Sequence, residues 1–179
     1  LTVSEFIQLE ADDVPENLLK VLKRSNTLLG IEADELPEMQ WGRVKEIQEA
    51  MGDGDIISAV LKTLEHKKVI NIQLILGLEY KIFLYFCSWL SEQLENISNM
   101  EAQLIGETNE DLNEAGVADL NKFGWLNALD SLAGNDITKW QQVYELPYKD
   151  VYIKLLKDKE TADIQARYQD IMKRKSKRK

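Results

Sequence analysis

The sequence predicts an all-α protein with at most one short strand pair: about six helices bundled around a long buried central helix, with the C-terminal helix projecting from the body. Three observations carry this. Apolar residues recur at helical spacing from Pro15 to Met172. Most of the periodic segments are bounded by capping residues, glycine or proline. Between them lie residues 69–90, VINIQLILGLEYKIFLYFCSWL, whose later part, Ile82 to Leu90, is apolar everywhere except Ser88. No single face can be drawn on that run, so it should be enclosed on all sides. It is long enough to cross a bilayer, but Glu79 and Lys81 sit near its middle. Each charge at a membrane centre costs roughly 3 kcal/mol, which favours a buried core element over a membrane span.

The elements follow in order. Thr2 and Glu5 have capping-box spacing, with Phe6, Ile7 and Leu9 as a short apolar patch. Pro15 suits a first helical turn, and Leu18, Leu19, Val21 and Leu22 give that helix a buried side. It should end over residues 26–30, where Gly30 is free to turn left-handed. Pro37 opens a second helix carrying Trp41, Val44, Ile47 and Met51. Gly52-Asp-Gly-Asp55 breaks the chain, and Asp55 can cap a helix with Ile56, Ile57, Val60, Leu61 and Leu64. The aspartates of that loop lack EF-hand spacing and read as cap and turn. The central helix is expected from about Leu74 through Ile97 towards Leu104, with a short strand at 69–73 as the alternative for its start. Residues 106–109 form the clearest internal boundary, with Thr108 and Asp111 again at capping-box spacing. Beyond it, Trp125, Leu126, Leu129, Leu132 and Ala133 share a helix face that stops at Gly134-Asn135. Asp136 caps a short helix through Trp140, Val143 and Tyr144, and Pro147 opens the last one. There Tyr148, Val151, Tyr152, Leu155 and Leu156 fall at i, i+3, i+4, i+7 and i+8, the cleanest amphipathic signal in the chain. The apolar positions then thin to Ala162, Ile164, Tyr168, Ile171 and Met172, so this helix should leave the body. The resulting division is a lobe over 1–105, a second over 106–172 and a basic tail over 173–179.

Charge is unevenly spread. The tail KRKSKRK holds six positive charges; without them the chain carries 16 basic and 31 acidic residues, a net −15. Such a body repels nucleic acid and anionic membranes, while Lys173, Arg174, Lys175, Lys177, Arg178 and Lys179 can attract either. These six are the nucleic-acid-binding candidates. Residues 1–10 are short, mixed and acidic and do not read as a signal or transit segment; the opening Leu1 in place of Met fits a trimmed or processed sequence.

Catalytic chemistry finds little footing. The single histidine, His66, lies between Glu65 and Lys67 and reads as a solvated surface residue. The single cysteine, Cys87, sits in the apolar run, where burial suppresses thiolate formation and no disulfide partner exists. One histidine and one cysteine do not make a conventional zinc site. There is no phosphate-binding GxxxxGK[ST] loop and no GxGxxG after a strand. No catalytic residue, metal site or cofactor is expected. Trp41, Trp89, Trp125 and Trp140 all fall at apolar helical positions and read as core.

The segment 123–156, FGWLNALDSLAGNDITKWQQVYELPYKDVYIKLL, resembles small helical proteins encoded among the structural genes of tailed bacteriophages infecting Bacteroidetes, the crAss-like group included. The matching residues are Phe123-Gly-Trp125, Leu132-Ala-Gly134 with Asp136-Ile137, and Leu146-Pro147 followed by the aromatic–aliphatic helix. Val3-Ser-Glu-Phe-Ile7, Leu29-Gly-Ile31 and Glu35-Leu36 look like the opening of such proteins. The resemblance covers about a third of the chain and implies a non-enzymatic virion role: a tail, neck or packaged component, or a tail-assembly chaperone absent from the finished particle. It implies location in the virion, and in host cytoplasm during assembly. Other virion or assembly proteins are then the partners, with a homo-oligomer and DNA contact through the tail as further readings. Ile164, Tyr168 and Ile171, beyond the point where the last helix thins, are the expected partner-binding residues.

Overall fold

A computed structural model describes residues 2–7, 23–65, 67–106 and 116–176. It is all-α apart from one two-stranded antiparallel ribbon. In chain order the elements are α1 (Val3–Ile7), β1 (Thr27–Leu28), β2 (Ile31–Glu32), a 3-10 turn (Leu36–Glu38), α2 (Trp41–Gly52), α3 (Ile56–Leu64), α4 (Ile72–Leu76), α5 (Tyr80–Ala102), a 3-10 helix (Val117–Phe123), α6 (Leu126–Leu132), a 3-10 turn (Ile137–Lys139), α7 (Trp140–Tyr144) and α8 (Tyr148–Ser176).

The apolar run is two helices rather than one. Gly77 ends α4, its N–H bonding Gln73 O, and extended Glu79 opens α5. The break is used: Val3 N–H donates to Leu78 O (3.0 Å) and Thr2 pairs with Glu79. The capping box forms as read, with Thr2 N–H on Glu5 Oε2 at 2.8 Å and Glu5 N–H on Thr2 Oγ1 at 3.3 Å. Burial is complete only where the run is uninterrupted. Phe83, Leu84 and every residue from Phe86 to Leu90 are buried, whereas Val69 is 92% exposed and Ile72, Leu74 and Ile82 also face outward. The expectation of enclosure on all sides therefore holds for Phe83 to Leu90, where only Tyr85 is half-covered, and fails for 69–76 and for the first turn of α5. No strand forms at 69–73; Asn71 caps α4 instead, accepting from Gln73 N–H at 2.9 Å.

The strand pair lies at 27–32, where the sequence pattern reads as a helix end. Leu29 and Gly30 both take positive φ (54° and 72°), and the register Leu28↔Ile31 leaves these two as the hairpin loop. A two-residue loop with positive φ at both positions matches the right-handed twist of the flanking strands. Gly30 does turn left-handed, but for a hairpin.

Asp55 caps α3 as expected, accepting from Ser58 N–H at 3.0 Å, and Asp136 does the same for Thr138 N–H. Pro37 does not open a helix that reaches Trp41; it sits in the 3-10 turn, and α2 starts four residues later. Glu-Leu-Pro occurs twice, at 35–37 and 145–147, and the second segment docks just past the first: Trp41 N–H donates to Leu146 O (2.7 Å) and Tyr148 N–H to Met39 O (2.8 Å). The starts of α2 and α8 are thereby stitched together. Gly42 makes this approach possible, since a Cβ there would lie 1.9 Å from the Tyr144 ring. Gly42→Ala should raise helix propensity by about 1 kcal/mol yet lower net stability by about 1–2 kcal/mol through overpacking. A denaturation cycle with Tyr144→Ala should show strong non-additivity; additive effects would mean that the ring simply moves aside.

One core draws on residues from both sides of Gly106, with Trp41, Phe86 and Ile97 in the same cluster as Leu129, Val143 and Tyr148. The helix expected at 15–22, the Thr108–Asp111 capping box and His66 lie outside the described residues.

Candidate functional site

The last helix carries two apolar faces. Its first turns hold Tyr148 and Val151 buried, with Tyr152 and Leu155 half-covered, against α2 and the Leu36–Glu38 turn. Trp125 shares the crevice that this face lines, whereas Trp140 does not. The outer residues are Ile153 (61% exposed), Ile164 (58%), Tyr168 (61%) and Ile171 (49%). At about 100° per residue these four fall within an arc of about 60°, and that arc is opposite the packed face. Thinning of the apolar pattern singled out Ile164, Tyr168 and Ile171 without fixing their side of the helix. The structure sets them on the other side of the helix and adds Ile153, with Met172 at the margin. Two opposed stripes within one helix blur each other's periodicity, which is why the spacing that picked out the inner stripe did not single out Ile153.

Residues 157–176 form about 30 Å of helix at 1.5 Å per residue. Over this stretch the described side chains are exposed or half-covered. What holds the helix is local. Lys154 pairs with Asp158, Lys159 with Asp163 at 3.1 Å, and Arg167 Nε donates to Asp163 O at 3.2 Å. Such pairs contribute a few tenths of a kcal/mol each. Lys173, Arg174 and Lys175 occupy the last turn, where cations complement the carbonyl end of the helix dipole. They are exposed and point to different sides, so the helix ends in a collar of positive charge rather than a directed patch. Lys177, Arg178 and Lys179 lie outside the described residues.

Where α8 meets the body, a crevice of about 240 Å³ opens between Trp41, Trp125, Tyr148, Tyr152 and Leu155. Trp41 and Trp125 meet edge to face at 5.7 Å. Its polar floor is Glu101, which accepts from Lys45 Nζ (2.5 Å), Tyr148 Oη (2.7 Å) and Gln48 Nε2 (3.1 Å). Burial works against the Glu101 charge, but the Lys45 ammonium with Tyr148 and Gln48 outweighs it and holds the carboxyl below its usual value. Burial, then the Glu101 hydrogen bond, pushes the Tyr148 hydroxyl up. The crevice is smaller than the 300–1,000 Å³ common for small-molecule sites and is the size of a seat for one side chain. The Glu101 cluster left no trace in the sequence pattern, because its members come from α2, α5 and α8.

A third feature is also new. Val117, Leu120 and Phe123 are exposed on the 3-10 helix, and a three-residue repeat stacks them on one side.

Cys87 is buried, and burial pushes its thiol up to about 12. Among the described residues no group of three or more His, Cys, Asp and Glu side chains is placed to hold a metal, and no helix is long and apolar enough to cross a membrane. Comparison with protein-family models, curated proteins and solved structures yields no match, which leaves the surfaces of α8 as the chain's own evidence towards function.

Proposed function

We propose that this is a non-enzymatic interaction protein whose projecting helix α8 is gripped by neighbouring proteins. The observation that carries the reading is the outer stripe of Ile164, Tyr168 and Ile171, exposed on a helix stretch that the body does not cover. A tyrosine flanked by aliphatic residues, once a partner covers it, is the kind of group that dominates binding energy at interfaces. The setting is the one the resemblance implies: a tailed-phage particle, with the protein in the tail, neck or packaged contents, or as a tail-assembly chaperone acting in the host cytoplasm. A second reading, nucleic-acid association, draws support from the positive collar at Lys173, Arg174 and Lys175.

The test is replacement of Tyr168 and Ile171 by Ala together. Circular dichroism and melting temperature should stay at wild-type values, because neither side chain contributes to the core. Incorporation into purified particles, followed by mass spectrometry, should fall at least tenfold. Wild-type incorporation would count against the docking helix. Incorporation that survived this change but was lost when Lys173, Arg174 and Lys175 became Gln, together with a DNA affinity that weakened steeply with salt, would favour the second reading.

A further inference from the structure

We propose that the outer face of α8 pairs, antiparallel, with the same face of a second copy of this chain. The inference rests on the reading of α8 as a docking helix and names the occupant of its stripe.

Ile164, Tyr168 and Ile171 follow each other at i, i+4 and i+7, the spacing of a coiled-coil seam. Such a seam can be filled by another helix that presents the same three residues. Charge decides in favour of a second copy and sets its direction. Residues 157–179 hold nine basic and four acidic side chains, so residues 1–156 carry the remaining 13 basic and 27 acidic, a net −14. Charge along the arm is uneven: residues 157–163 hold Lys157 and Lys159 against Asp158, Glu160 and Asp163, a net −1, whereas residues 173–179 hold six cations and no acid. A parallel pair would set the two positive collars side by side and bring two acidic bodies together. An antiparallel pair places each collar beside the other copy's Glu160 and towards its acidic body, and holds the bodies apart by the length of the arms.

The register follows from the stripe. With the two-fold axis between Arg167 and Tyr168, Ile164 of one copy meets Ile171 of the other, Glu160 comes level with Lys175, and the two Tyr168 side chains flank the axis. Such an interface is isologous and closes on itself, so each substitution acts twice. Three apolar residues per helix fall well short of a standard interface, and pairing in the micromolar range or weaker is expected.

Sedimentation of the full chain should show a monomer passing to a dimer as concentration rises from about 10 μM to about 1 mM. The dimer should weaken several-fold between about 0.05 and 0.5 M salt, where exposed charge pairs are screened. Tyr168→Glu should abolish it while leaving circular dichroism unchanged. Because Cys87 is buried, introduced cysteines report geometry. Tyr168→Cys should cross-link to itself, and Ile164→Cys should cross-link to Ile171→Cys in a mixture but not to itself. Self-linkage of Ile164→Cys at the rate of Tyr168→Cys would establish a parallel pair and overturn the proposal, as would a monomer at every concentration. The two readings fail separately. A strict monomer whose Tyr168 and Ile171 variant still loses particle incorporation refutes the second copy and spares the docking helix. A dimer with the predicted cross-links, from a chain whose variant still incorporates normally, upholds self-pairing and refutes particle docking.

Discussion

Replacing Tyr148 by Ala is expected to lower the unfolding free energy by about 3–5 kcal/mol, the range for losing a fully enclosed aromatic ring. For a chain of this length that corresponds to a fall in melting temperature of about 10 °C. The magnitude follows from position. Tyr148 is 2% exposed, its ring lies under Lys45 Nζ at 6.0 Å, and its hydroxyl donates to Glu101. Its own N–H holds Met39 O, so the side chain sits where α8 is stitched to the start of α2. Tyr148→Phe separates the contributions. It keeps the ring and removes only the bond to a charged acceptor, for an expected cost of about 1.5–3 kcal/mol. Equal losses for the two variants would mean that the ring contributes little. A loss below about 1 kcal/mol for Tyr148→Ala would mean that α8 is not anchored through this residue.

How far the sequence foretold this arrangement depends on the range of the interaction that sets each feature. Caps are local, and Thr2, Asp55 and Asp136 each bond the backbone group that their spacing indicated. The buried stretch of α5 was legible because seven of its residues from Phe83 to Leu90 are enclosed, so no competing face disguises it. The hairpin at 27–32 was not. Leu29 takes a positive φ that a leucine does not advertise, and Leu28 is held by burial in the core. The break at Gly77 was marked by a weak helix former, but its cause is the docking of Val3 on Leu78, a contact made 75 residues away in sequence. The same limit applies to the functional surface. Exposure of Ile164, Tyr168 and Ile171 could be anticipated from thinning of the apolar pattern. Their placement opposite Tyr148 and Leu155 requires following the helix phase across the whole of α8, and the Glu101 cluster requires the tertiary fold.

Glu101 carries the second large effect, and its sign with pH can be worked out. Burial opposes its charge, but Lys45, Tyr148 and Gln48 together hold its carboxyl below the usual value of 4.5. A group depressed in this way lends stability that is complete above its unfolded pKa and drains away as pH falls through the folded one. Glu101→Gln should therefore cost about 2–3 kcal/mol near neutrality, where an ionised acceptor of three hydrogen bonds is lost and Lys45, with only 17% of its side chain exposed, is left without its counter-charge. The difference between variant and wild type should narrow steadily below about pH 5, since protonated Glu101 and the amide that replaces it are then alike in charge. Glu46 is depressed too: Lys62 and Tyr144 outweigh the opposing effect of its burial. Both proteins should consequently weaken in acid, and only the gap between them isolates Glu101. Urea denaturation of the two at a series of pH values gives that gap directly. A gap that stayed constant from neutrality to about pH 3 would show that Glu101 acts through shape and hydrogen bonding alone, without its charge.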